Sequence, residues 1–162
     1  MDGENEPKWL TPQELHGWKA LMAVLLSLQT PLDAQLRRDS EMTLYEYLVL
    51  AALSDQQSRT IGMKQLAALT NGSMSRLSHV VKRMEDRGWV VRRPNPTDGR
   101  LTDAILTDAG LEKIVSAAPG HVANARDLVV DVLTESEMQQ LGVISEKIAR
   151  RVLGSEIYDG IE

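Results

Sequence analysis

One stretch constrains this chain more than any other. From Met63 to Gly110 it reads MKQLAALTNGSMSRLSHVVKRMEDRGWVVRRPNPTDGRLTDAILTDAG. Within it, Lys64, Arg76, Lys82, Arg83, Arg87, Arg92, Arg93 and Arg100 face only Glu85, Asp86 and Asp98 before Asp103 is reached, a local excess of five positive charges. The whole chain of 162 residues carries a net charge of −5. A basic island in an acidic protein is the electrostatic footprint of a polyanion-binding surface.

The order of elements in this stretch points to duplex DNA as the polyanion. Ile61 to Thr70 has the spacing of a short amphipathic helix, with Met63, Leu66 and Leu69 on one side. Asn71-Gly72 is a turn signal. Ser73 can cap a further helix that runs to Arg87 and is stopped by Gly88. Trp89-Val90-Val91 favours a strand, Asn95 to Gly99 is turn chemistry, and Leu101 to Leu106 can return as the second strand of a hairpin. Together with the helix that precedes them, these pieces make a winged helix-turn-helix.

Long helices flank it. Thr11-Pro12-Gln13-Glu14, Thr43-Leu44-Tyr45-Glu46 and Thr134-Glu135-Ser136-Glu137 are capping boxes, in which a threonine hydroxyl and a glutamate three residues later satisfy the first free N–H groups of a helix. Thr107 is a fourth cap. The helix after Thr11 is expected to reach about Arg38, with Pro31 bending or interrupting it. The helix after Thr107 is expected to kink at Pro119-Gly120 rather than end there. The expected fold is mainly α with a small β-hairpin wing, in three parts: an N-terminal dimerisation helix (1–40), a winged helix-turn-helix (41–106) and C-terminal dimerisation helices (107–162).

In the helix after Ser73, the apolar residues Leu77, Val80, Val81 and Met84 follow the i, i+3, i+4, i+7 spacing of one buried stripe. The other face offers Ser75, Arg76, Ser78, His79, Lys82 and Arg83, suited to base edges and phosphates in a major groove. With Ser73 at the helix start, these are the expected DNA-contacting residues. Arg92, Arg93 and Arg100 join them from the hairpin, where arginine can enter a narrow minor groove. Asp98 either holds the arginine or a neighbouring backbone in place, or is merely a turn former with Arg100 a solvated charge.

Other chemistries find little support. The absence of cysteine excludes disulfides and thiolate metal sites, and fits a cytoplasmic setting. His16, His79 and His121 lack metal-ligand spacing, so no metal and no cofactor are expected. There is no nucleophile elbow and no phosphate loop, which argues against an enzyme. The apolar run from Leu21 to Leu28 is too short for a membrane span, and the acidic start MDGENEPKW does not look like a secretory signal.

Asp98-Gly99-Arg100 followed by Leu106-Thr107-Asp108-Ala109-Gly110 resembles the D-x-R…L-T-x-x-G signature of the MarR family of bacterial transcription regulators. The run Leu77 to Gly88 and the start Trp89-Val90 are similar to that family's recognition helix and first wing strand. His79 departs from the pattern, since the family often has arginine there. The resemblance implies a homodimer built through intertwined terminal helices, binding a pseudo-palindromic double-stranded operator. It further implies repression of nearby genes and release by a small aromatic acid. By the same resemblance the ligand pocket lies between the first two helices and the base of the winged domain. Trp18, Met22, Met42, Tyr45 and Tyr47 are its candidates, with ordinary core packing as the alternative for each. The rival reading is a winged-helix module that binds an acidic protein without specific DNA binding.

Overall fold

A computed structural model describes residues 7–154 and Tyr158. The helix α1 (Pro12–Ser27) opens as the sequence dictates: Thr11 Oγ1 accepts from the Glu14 N–H and the Glu14 carboxylate accepts from the Thr11 N–H, with Pro12 at the first position. It ends earlier than expected, and a second helix, α2 (Gln29–Ser40), follows after a break at Leu28. The break is the work of Pro31. Its ring crowds the carbonyl four residues back, that of Ser27, and it has no N–H to offer it.

Helix α3 (Leu44–Asp55) starts at the Thr43–Glu46 capping box. Then comes a strand the sequence did not announce, β1 (Thr60–Gly62), followed by α4 (Met63–Leu69), α5 (Met74–Asp86), β2 (Val90–Pro94) and β3 (Thr102–Leu106). The expected two-stranded hairpin is therefore a three-stranded antiparallel sheet in the order β1-β3-β2. Ile61 pairs with Ala104, and Arg92 pairs with Ala104 from the other side. Helix α6 (Asp108–Ala125) begins at the Thr107 cap and runs through Pro119. A π-helical turn (Arg126–Val130) comes next, and the chain then enters α7 (Glu135–Leu153) through the third capping box.

The core lies where α2, α3 and α6 meet the winged elements. Leu36, Val49, Leu50, Leu53, Leu66, Leu77, Val81, Met84 and Val90 are all fully buried there. Neither α1 nor α7 buries any residue. Their apolar side chains, including Trp18, Leu25 and Leu26 on α1 and Val143, Ile144 and Ile148 on α7, lie open. A helix face that is apolar and uncovered awaits a partner surface. No helix among the described residues is long and apolar enough to cross a membrane.

Candidate nucleic-acid interface

Helix α5 starts at Ser73, whose Oγ accepts from the Arg76 N–H at 3.2 Å, so this serine builds the helix end. Leu77, Val80, Val81 and Met84 seat the helix on the core as their spacing requires. The polar residues then divide into three rows, and each has a different job.

One row faces α3. The Arg76 guanidinium lies 4.2 Å from the centre of the Tyr45 ring. Two turns on, Arg83 Nη2 donates to Glu46 Oε1 at 3.4 Å, a carboxylate that is almost wholly buried. Two adjacent residues of α3 thus engage two arginines of α5. Tyr45 is itself fixed, since its hydroxyl lies 3.0 Å from Thr70 Oγ1. Thr70 already donates to the Leu66 carbonyl, so the tyrosine must be the donor. The turn between α4 and α5 closes tightly on this pair: a Cβ on Gly72 would come 1.9 Å from the Tyr45 oxygen.

The second row faces β2. Glu85 accepts from Arg92 three times, from the backbone N–H at 3.0 Å, from Nε at 3.0 Å and from Nη2 at 2.7 Å. Arg92 Nη1 also donates to Ser78 Oγ at 3.3 Å. These charge-assisted bonds hold the Glu85 carboxyl below its ordinary value. The sequence offers Arg92 and Ser78 as groups that contact DNA, but the fold joins the two to each other and ties Arg92 to Glu85.

The third row, Ser75, His79 and Lys82, points outward between the other two and is exposed. Lys82 bonds Asp86 at 2.6 Å, with both side chains well exposed. Such an exposed pair contributes little, so a phosphate can replace the aspartate at small cost.

At the wing, Asn95 Oδ1 accepts from the N–H groups of Thr97 and Asp98 at 2.9 and 3.0 Å, and Asp98 Oδ1 accepts from the Arg100 N–H at 3.0 Å. Asn95 Nδ2 donates to the buried Asp103 at 2.9 Å. Of the two roles open to Asp98, the geometry is the first, a carboxylate that holds the neighbouring Arg100 backbone in place. Arg93 and Arg100 are left exposed on the wing.

A family model described as the MarR family matches residues 40–101. A MarR family transcriptional regulator of Streptomyces coelicolor, solved in complex with DNA, is 39% identical, superposes with a TM-score of 0.85, and is matched over 94% of this chain and 96% of its own. The chain belongs to the MarR family. Among other relatives, the HTH-type transcriptional regulator MhqR of Bacillus subtilis is 34% identical over 58% of this chain and 63% of its own length. The Escherichia coli transcriptional repressor MprA is 26% identical over 71% of this chain and 64% of its own. The chain therefore spans a little under two thirds of these two curated relatives.

The five candidate ligand residues scatter over this MarR-family fold. Met42 is buried in the core and Tyr47 packs against it, its ring tilted against that of His121 with ring centres 4.1 Å apart. Trp18 is exposed and Met22 half-buried on α1. Tyr45 lines a cleft of about 670 Å³ between α2, α3 and the start of α5, with Arg37, Leu44, Arg76 and His121 also on its walls. His121 lies in part under apolar cover, which pushes its imidazole below the usual value, and its Nδ1 has no hydrogen-bond partner among the described residues. Sequence reasoning did not single out Glu46, Thr70 or Glu85 as parts of the interface. Each is a buried or half-buried group whose partner comes from another element, and no local spacing reveals such a pairing.

Proposed function

We propose that this protein is a homodimeric, cytoplasmic transcription regulator that binds a specific pseudo-palindromic DNA site and represses transcription until a small aromatic acid releases it. The observation that carries the DNA reading is the exposed row Ser75, His79, Lys82 on a helix braced on both flanks, beside a wing that presents Arg93 and Arg100. That arrangement suits a helix in the major groove and an arginine in the adjacent minor groove. The DNA-bound relative of 39% identity supports it. Titration of the protein with the duplex flanking its own gene, at several salt concentrations, tests the reading. Binding should weaken steeply with salt and exceed binding to a random duplex. Binding with neither property would favour the protein-interaction rival.

The uncovered apolar faces of α1 and α7 support a homodimer, since two copies could bury them against each other. The cleft bearing Tyr45, Arg37 and Arg76 supports the ligand reading, because it joins an aromatic wall to guanidinium groups that suit a carboxylate. Arg76 belongs at once to this cleft and to α5, so an occupant that draws it away would bind the DNA-free arrangement better. Salicylate-like acids added to the protein–DNA complex should release the DNA, and Arg37→Ala should blunt that release. Release that survives Arg37→Ala unchanged places the ligand elsewhere.

A further inference from the structure

We infer that Glu85 is a positioning residue for the wing, with Arg92 as its strut rather than a phosphate contact; this rests on the DNA-binding reading above. Glu85 sits on the last turn of α5, and Arg92 sits in the middle of β2, the strand that leads to the wing tip. The carboxylate takes both the backbone N–H and the guanidinium of Arg92, so it fixes the strand as well as the side chain. Ser78, one and a half to two turns earlier on α5, takes the remaining arm of the guanidinium. Both partners of the pair are largely covered, with side chains 28% and 24% exposed. A planar guanidinium gripped at Nε, Nη1 and Nη2 has little freedom to turn toward a phosphate.

The geometry has a clear consequence. Arg92 pairs in the ladder with Ala104, and two residues further on the strand passes into the Asn95–Leu101 turn that carries Arg100. A brace at Arg92 therefore fixes the angle at which the wing tip leaves α5. When α5 enters one groove, that angle decides whether Arg100 reaches the neighbouring one. Glu85 would act on DNA without touching it.

This role has an unusual sign. Removing an acidic side chain from a basic face should strengthen DNA binding if charge alone matters. Removing a positioning group should weaken it. The test measures affinity against salt concentration for Glu85→Ala, Glu85→Gln, Arg92→Ala and Arg100→Ala, on the duplex that the unaltered protein binds, with cleavage protection of the DNA mapped in parallel. Glu85→Ala is expected to bind roughly tenfold more weakly, the loss that goes with a charge-assisted brace. Protection should vanish at the wing's minor groove alone, and the salt slope should fall by about 0.9, the one contact that Arg100 no longer makes there. Arg92→Ala should do the same, and Glu85→Gln, which keeps an acceptor oxygen, should fall between. Arg100→Ala should lower the slope by about 0.9, the loss of one phosphate contact. Retained major-groove protection shows that the variants fold. Glu85→Ala binding as tightly as the unaltered protein or tighter overturns the inference, as does Arg92→Ala lowering the slope while the wing's protection is kept. Failure of the unaltered protein to bind any duplex specifically would instead overturn the DNA reading itself.

Discussion

Arg76 shows how much one contact settles. Stacked over Tyr45, its guanidinium is held near the N-terminal end of α5, where a recognition helix meets base edges. Arg76→Ala should narrow the ratio of specific to random DNA binding, by about 1–3 kcal/mol if the arginine makes a bidentate base contact. Competition titrations read that ratio, and an equal loss on both duplexes would make Arg76 a backbone contact. Gly72 is constrained by the hydroxyl end of the same ring. Gly72→Ala should destabilise the fold by about 1–3 kcal/mol, the usual cost of overpacking. Thermal unfolding should also show that Tyr45→Phe, which removes the oxygen 1.9 Å from the new methyl, restores part of that loss. The sequence made Arg76, His79 and Lys82 legible as a polar face, because helical spacing alone puts them opposite Leu77 and Val81. It could not separate Arg76 and Arg83 from Ser75 and Lys82. That division depends on Tyr45 and Glu46, some thirty to forty residues away in the chain.

Among the elements, the helix starts were the most legible. Thr11, Thr43, Thr107 and Thr134 each accept the backbone N–H they were expected to satisfy, because a capping box is local chemistry. Thr43→Ala should therefore cost about 1 kcal/mol of stability. The loss should be larger than for Thr134→Ala, because the Glu46 carboxylate that shares the Thr43 box is buried and would lose an acceptor's partner. Chemical denaturation of the two variants checks the order. Strand β1 was not legible: three residues show no alternation, and only β3 tells Ile61 that it is in a sheet. The break at Leu28 was legible in kind but not in place, since a proline disturbs the turn behind it. Gly110 at the start of α6 is a fixed point between elements, for a Cβ there would lie 2.1 Å from the Trp89 carbonyl oxygen. The last glycine of the L-T-x-x-G pattern thus lets α6 pass close to the entry of the wing.

For the whole molecule, two measurements bear on the architecture. Sedimentation at low micromolar concentration should give about twice 18.0 kDa, and a folded monomer there would sink the dimer reading. Stability should also fall as the solution is acidified below pH 6.5. His121 is pushed below its ordinary 6.5 by burial, so the unfolded chain takes up a proton more readily than the folded one. Its contribution is intact above pH 6.5 and is lost as pH drops toward the depressed value. His121→Gln should flatten that part of the profile. Below pH 4.5 the Glu85 carboxylate adds a second loss, as acid reaches the lowered value that Arg92 sustains.

The bare faces of α1 and α7 also bear on how such a regulator would respond to its own abundance. One chain carries one α5, and a single half-site contact is weak. Wherever pairing is incomplete, the number of competent binders grows as the square of the number of chains made. A cell that doubles its supply then quadruples the occupancy of a lightly filled operator, and one that halves it leaves a quarter. The greasy stripe along two helices would thus turn a gradual change in synthesis into something close to a threshold.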